Sequence, residues 1–509
     1  MTAPLKETDG RSRLAWDAAQ LWGSNVVEQV LAMARGIILP RLLGPGLYGI
    51  LGGLGLITKY GSYLQLGLTT AVAREVPHAL GVGDAARAER ITRAVFSFNL
   101  LTSLVPALGL TSYAALTWGA YRAEVSWGLV VFGLLLVTGR FDAFFTTLLR
   151  SRMRFTASFW YTVLKTAVSF ALVVGLVFPF RLFGVYVGLA VSGVIFWVVG
   201  AFWTRSWASP WPAWSVIKEL LPVGLPLAGI GVLGFVLQSL DRLLIIRFRS
   251  PADLGYYSLA VTVVTFIYFL PMNVGQAMAP RIFRLRRDGD REAFQDYLVK
   301  PTLVITYLVA VLGGLALLAF IPFVRYVLPA YGPSVPIVAA LLAGVTCQGG
   351  AQAGGHILVA LGRFKTIAMA QALSVVVAAA GILAALSRDG GLWLVALATS
   401  AGLVVYAVFL QFYACRAMGF SPGRFARVMG YLIIPPATVA AALVFAFYGA
   451  GRVVVAVTPP PVGMGADVAA LTLRVLLFLP AAVLFGLYVE RETGAGAALF
   501  ARLRERFRT

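Results

Sequence analysis

About fourteen stretches of this chain are long and apolar enough to cross a bilayer, and nothing else in the sequence constrains the fold as tightly. A crossing helix takes about 20 mostly apolar residues. On that scale the spans read 18–42, 47–71, 94–118, 126–149, 156–179, 182–204, 220–246, 254–280, 301–324, 334–361, 366–386, 391–414, 428–449 and 469–489. The predicted class is therefore an all-α integral membrane protein with about 14 transmembrane helices. Composition agrees, since 60% of the 509 residues are hydrophobic and 12% are charged. Soluble domains run at roughly half and a quarter.

The chain carries 42 Lys+Arg against 21 Asp+Glu, a formal charge of +21. The basic residues fall mainly in short gaps between spans, which suits topology signals and anionic headgroups and not a nucleic-acid partner. With the N-terminus in the cytoplasm, the cytoplasmic gaps hold Arg74 to Arg93, RSRMRF (150–155), RIFRLRRDGDR (281–291), GRFK (362–365) and the Arg-rich C-terminus. The resulting bias in Lys and Arg is roughly threefold. This places a multi-pass protein in the cytoplasmic (inner) membrane with both termini cytoplasmic. The first 20 residues, MTAPLKETDGRSRLAWDAAQ, are polar and basic without a cleavable-signal pattern and read as a cytoplasmic tail. Cys347 and Cys415 lie in or beside apolar spans and imply no disulfide framework. TRSWASPWPAWSVIKEL (204–220) reads as a connector in the headgroup region, and TPPPVG within 450–468 as a loop.

Two halves of the chain resemble each other. RLLGPGLYGILGGLGLI (41–57) matches RFRSPADLGYYSLAVTV (247–263) in its basic start, Pro, Gly and Tyr. Charged segments follow in both, GVGDAARAERITR and RLRRDGDREAFQDYLVK. Later, RSRMRFTASFWYTVLKTAV (150–168) echoes LGRFKTIAMAQALSVVV (361–377). The order and spacing predict a parallel repeat of six helices. The expected organisation is an N-terminal lobe at 1–205, an interfacial linker at 206–219, a C-terminal lobe at 220–415, and two further helices with a cytoplasmic tail at 416–509.

Eight charged residues sit inside the spans: Arg35, Lys59, Arg140, Lys165 and Arg242 against Glu28, Asp142 and Asp241. Charge at bilayer depth costs several kcal/mol, so such groups face an internal cavity or one another. The excess of two positive charges favours an anion in a membrane-buried chamber. Asn25, Glu28 and Arg35 share one helix face, which either lines that chamber or neutralises neighbouring helices. Lys59 falls near mid-span, where snorkelling is hard, and is the first choice for phosphate contact. Arg140 and Asp142 point about 200° apart, so each serves a different neighbour, as substrate contact or structural pair. Lys165 either reaches headgroups along its stem or faces substrate. Gln238, Asp241 and Arg242 share a face and form a gate contact or a local pair. His356, among glycines, reads as a core histidine before a proton relay, and His78 as solvated.

ARGIILPRLLGPGLYGI (34–50), QLGLTTAVAREVPHALGVGD (65–84) and LGRFKTIAMAQAL (361–373) resemble the multidrug/oligosaccharidyl-lipid/polysaccharide exporter superfamily, and within it the Wzx-type polysaccharide transporters. The resemblance spans nearly the whole chain. It implies two six-helix lobes plus two helices, and flipping of a polyprenyl-diphosphate-linked oligosaccharide by alternating access around a cationic central cavity. The expected substrate-binding residues are Arg35, Lys59, Arg140, Lys165, Arg242 and Asn25. Glu28, Asp142 and Asp241 are candidates for coupling to H⁺ or Na⁺ or for structural pairing. Expected partners are the lipid-linked glycan, membrane lipids and a glycan polymerase or assembly protein, with no cofactor, metal or nucleic acid. A lipid II flippase would read the same charges, whereas a cation or drug exporter would call for an acidic cavity. No paired-carboxylate, nucleophile–base or metal-ligand constellation stands out, so an enzyme is not expected.

Overall fold

A computed structural model describes residues 7–205, 213–288, 291–457 and 464–493. Among them the chain is helical throughout, without strands. The helices are α1 (Glu7–Ser62), α2 (Leu68–Gly81), α3 (Ala85–Leu116), α4 (Ala123–Ser151), α5 (Phe155–Thr204), α6 (Trp214–Phe248) and α7 (Pro251–Asp288). They continue as α8 (Arg291–Val327), α9 (Ser334–Gly350), α10 (Gln352–Ala360), α11 (Phe364–Ser387), α12 (Leu392–Ala417), α13 (Pro422–Val457) and α14 (Met464–Thr493). Twelve stretches among the described residues are long and apolar enough to cross a membrane. Two of them, Ala19–Gln65 and Phe155–Thr204, have 47 and 50 residues, about twice what one crossing needs.

Each long stretch is two limbs. In α1 the helix is interrupted at Gly44 (φ 75°, ψ 170°), and in α5 at Arg181 (φ 51°, ψ −126°). The limbs of α5 fold back on each other: a side chain at Gly184 would meet the Leu176 carbonyl, and one at Gly188 the Val173 backbone. Glycine is required there because the two backbones touch. Counting limbs, the described residues hold fourteen candidate crossings, the number read from hydropathy.

Two boundaries differ from expectation. Hydropathy ends the second span at residue 71 and puts a charged loop after it. Instead the second limb of α1 stops at Ser62, Leu66 and Gly67 are left-handed, and α2 continues to Gly81. Leu68, Ala71, Val72, Val76 and Ala79 of α2 enter an apolar core with Phe96, Phe141, Phe144 and Phe145. That buried face, spaced at the helical period, is why 68–81 is a helix although Arg74, Glu75 and His78 make it look like a loop. The polar N-terminal stretch is helical from Glu7. α6 begins at Trp214, within the expected connector; the rest of that segment, the TPPPVG loop and the C-terminal tail fall outside the described residues.

The chain divides into two compact units, 1–235 with 250–255, and 236–249 with 256–509. In the first unit the two matching Pro-Gly motifs touch. A side chain at Gly49 would strike the Pro251 carbonyl, and one at Gly255 the Pro45 carbonyl. The second pair of motifs folds alike: Met153 (φ 56°) and Gly362 (φ 72°) are left-handed, and Arg154 and Arg363 then precede helices that start at Phe155 and Phe364. In the second unit α9, α11 and α12 pack closely, with Ser400 Oγ donating to the Ala340 carbonyl at 2.6 Å. There α13 and α14 bury Val439, Ala442 and Phe478 against Ala310 and Leu318 of α8.

Candidate functional site

Within the first unit, the first limb of α1, α4 and the first limb of α5 run side by side. Thr156 Oγ1 donates to Gln20 Oε1 at 3.1 Å, and Gly23 lies against Phe159. This packing brings five charged side chains together. Lys165 Nζ of α5 donates to Asp142 Oδ2 of α4 at 2.8 Å, each side chain about a quarter exposed (25% and 28%). Glu28 and Arg35, two turns apart on α1, both act electrostatically on Lys165. Arg150, two turns beyond Asp142 on α4, feels Glu28 and Asp142 and donates from Nε to Ser158 Oγ at 3.2 Å. Tyr161 is fully buried, donates to the Phe196 carbonyl at 3.1 Å and lies close enough to act on Asp142.

The group holds Arg35, Arg150 and Lys165 against Glu28 and Asp142, three positive charges against two negative, with Arg150 in the last turn of α4. Asp142 keeps Oδ1 buried and without a hydrogen-bond partner among the described residues. A carboxylate held by one lysine on one oxygen keeps that ammonium oriented while leaving its other donors for an incoming anion. Asn25 is half-buried one turn before Glu28.

Lys59 and Arg140 form a second group, at the end of α1. Lys59 is exposed and, among the described residues, takes part in no ion pair. Arg140 is 5% exposed and has no acidic partner there either. Its Nη1 donates to Thr102 Oγ1 at 2.9 Å and its Nη2 to the carbonyl of Gly61. Thus Arg140 and Asp142 turn to opposite neighbours, as a spacing of two on a helix requires.

Asp241 and Arg242 belong to the second unit. Asp241, 2% exposed, accepts from Tyr257 OH at 2.6 Å and from the Arg242 amide at 2.7 Å, with Thr399 Oγ1 at 3.4 Å. Arg242 Nε approaches the carboxylate at 3.9 Å, and Nη2 donates to the Gln238 carbonyl at 2.9 Å. His356 is half-buried with Nε2 unpartnered among the described residues. His78 is exposed on α2.

Three participants escaped sequence reasoning. Arg150 reads as a loop residue because it opens RSRMRF, yet it is i+8 from Asp142 and so on the same face. Tyr161 and Tyr257 carry no charge to draw attention. Nothing local marks Tyr257 as the partner of Asp241.

A multi-pass helical membrane protein with paired charges at bilayer depth is the class these features define. The structure is similar to that of the lipid II flippase MurJ in an inward closed conformation, with TM-score 0.68 and 12% identity over 92% of this chain and 98% of that one. It is also similar to an inward-facing multidrug resistance MATE family transporter of the MOP superfamily, with TM-score 0.62 and 14% identity over 77% and 94%. No curated protein matches the chain by sequence. Residues 38–310, more than half of the chain, match the family described as polysaccharide biosynthesis protein, and the chain belongs to that family.

Proposed function

We propose that this protein is a flippase that moves a polyprenyl-diphosphate-linked oligosaccharide across the cytoplasmic membrane by alternating access, with both termini cytoplasmic. The observation that carries this reading is the gathering of Arg35, Lys165 and, from the end of α4, Arg150 around only two carboxylates on helices long and apolar enough to cross a membrane. A net positive charge where lipid would surround it is costly, and a diphosphate repays that cost while its polyprenyl tail stays in lipid. Lys59, in the last turn of α1 and without an ion pair among the described residues, adds a further cation for the same ligand. No bond is made or broken in this cycle. The moving lobes are residues 1–205 and 220–415, with 416–509 as an added pair of helices. Glu28, Asp142 and Asp241 are the candidates for coupling the cycle to H⁺ or Na⁺, or serve as structural pairs.

The test uses purified protein in liposomes and a fluorescent polyprenyl-diphosphate oligosaccharide. Arg35→Ala and Lys59→Ala should each slow translocation about tenfold, the loss expected for one charged hydrogen bond. A neutral glycolipid without the diphosphate should not be carried. Lipid II run in parallel separates the two diphosphate substrates. Full-rate translocation by the double variant at normal folding overturns the assignment.

A further inference from the structure

The buried arginine of α4 has a place in the fold that the anion site does not explain. Arg140 sits about halfway along α4, facing Thr102 about halfway along α3. Its guanidinium is out of reach of ligand: Nη1 and Nη2 are bonded and Nε is buried. The acceptor it has chosen is informative. Gly61 is the penultimate residue of α1, and beyond Ser62 the chain leaves the α-helix for a short 3₁₀ turn and two left-handed residues. The carbonyls of a helix's last turn lose their i+4 amides, and in a membrane no water replaces them. Here Ser62 Oγ takes the Lys59 carbonyl at 2.7 Å and Arg140 takes that of Gly61. A cation at a helix C-terminus is also favoured by the dipole. The fit is close there: a side chain at Gly61 would need the space of the Leu136 Cδ2 methyl, one turn before Arg140 on α4.

We propose that Arg140 is a positioning residue for Lys59: its guanidinium caps the broken end of α1 and thereby holds the turn that presents the Lys59 ammonium at mid-membrane, without touching substrate itself. The part concerning Lys59 and its ligand rests on the function proposed above; the capping does not.

Full-length protein in nanodiscs tests it in two ways. Hydrogen exchange of amides 59–67 should speed up about tenfold or more in Arg140→Gln, since a charged hydrogen bond is lost. The α3 and α4 amides should keep their protection, and Arg140→Lys should restore much of that at 59–67. Gly61→Ala, whose methyl must displace the buried Leu136 side chain with the charge intact, should loosen the same turn and serves if Arg140→Gln fails to fold. Unchanged exchange at 59–67 in both variants overturns the proposal. Binding of inorganic pyrophosphate gives the second reading. Arg140→Gln should weaken it about tenfold, and should weaken it no further in a Lys59→Ala background. Equal weakening in both backgrounds means that Arg140 meets the anion directly, and the positioning role falls. Should Lys59→Ala leave pyrophosphate binding intact, the substrate role of Lys59 fails, while exchange still judges the cap.

Discussion

One side chain two residues from another can have an unrelated task, and α4 shows why. Asp142 faces α5 and holds Lys165 at 2.8 Å, whereas Arg140 faces α1 and α3. Removing one partner of a buried ion pair leaves the other uncompensated, at about 3–5 kcal/mol when fully buried. With a quarter of each side chain exposed, we expect about 2 kcal/mol for Lys165→Met or Asp142→Leu singly, and clearly less than the sum for the double variant. Thermal unfolding in detergent reads this, and additive losses would mean that the pair is uncoupled. In the second unit, Tyr257→Phe removes the hydroxyl bonded to Asp241 at 2.6 Å. The buried carboxylate then loses its strongest donor, and stability should drop by about 1.5–3 kcal/mol. A melting temperature equal to the parent's would show that Thr399 and the Arg242 amide suffice.

At the scale of elements, turns and close approaches set where helices stop. The turn into α5 and the turn into α11 share one geometry, but the left-handed position is Met153 in the first and Gly362 in the second. A left-handed non-glycine residue costs about 1–2 kcal/mol. Met153 is 69% exposed, so nothing is lost by trimming it. Met153→Gly should therefore raise stability by about 1 kcal/mol after the entropy of glycine is subtracted. The converse holds at the α5 hairpin: Gly188→Val would drive a side chain into the Val173 backbone and should abolish folded protein, seen as loss of the monodisperse peak in size exclusion. The hydrophobic spans made the helices legible, and the paired Pro-Gly motifs marked two stretches that touch in the fold. The helix 68–81 was not, because its charged face reads as loop and only the core against α3 and α4 shows its other side.

For the whole molecule, the alternation of helices fixes which turns share a side. The α3–α4 turn, with exposed Trp118, and the α4–α5 turn, with exposed Met153, lie at opposite ends of α4. Both native cysteines are buried, so an impermeant maleimide on intact cells reports on an introduced cysteine alone. Trp118→Cys should label and Met153→Cys should not until the membrane is opened. The reverse pattern would invert the orientation proposed from the positive-inside bias.

Hydropathy is a sum of local transfer energies, so the sequence alone determined the membrane class, the number of crossings and the eight charges that lipid cannot hold unaided. The likeness of the motifs is equally local, a matter of Pro, Gly, Arg and Phe in order. Which charge meets which was decided only by the tertiary structure, because that depends on the azimuth and depth at which packed helices face each other. Those are set by contacts between residues far apart in the chain, such as Gly61 against Leu136 and Gly23 against Phe159. Hence Lys165 finds Asp142, and Arg140 finds the end of a helix that hydropathy had drawn as unbroken.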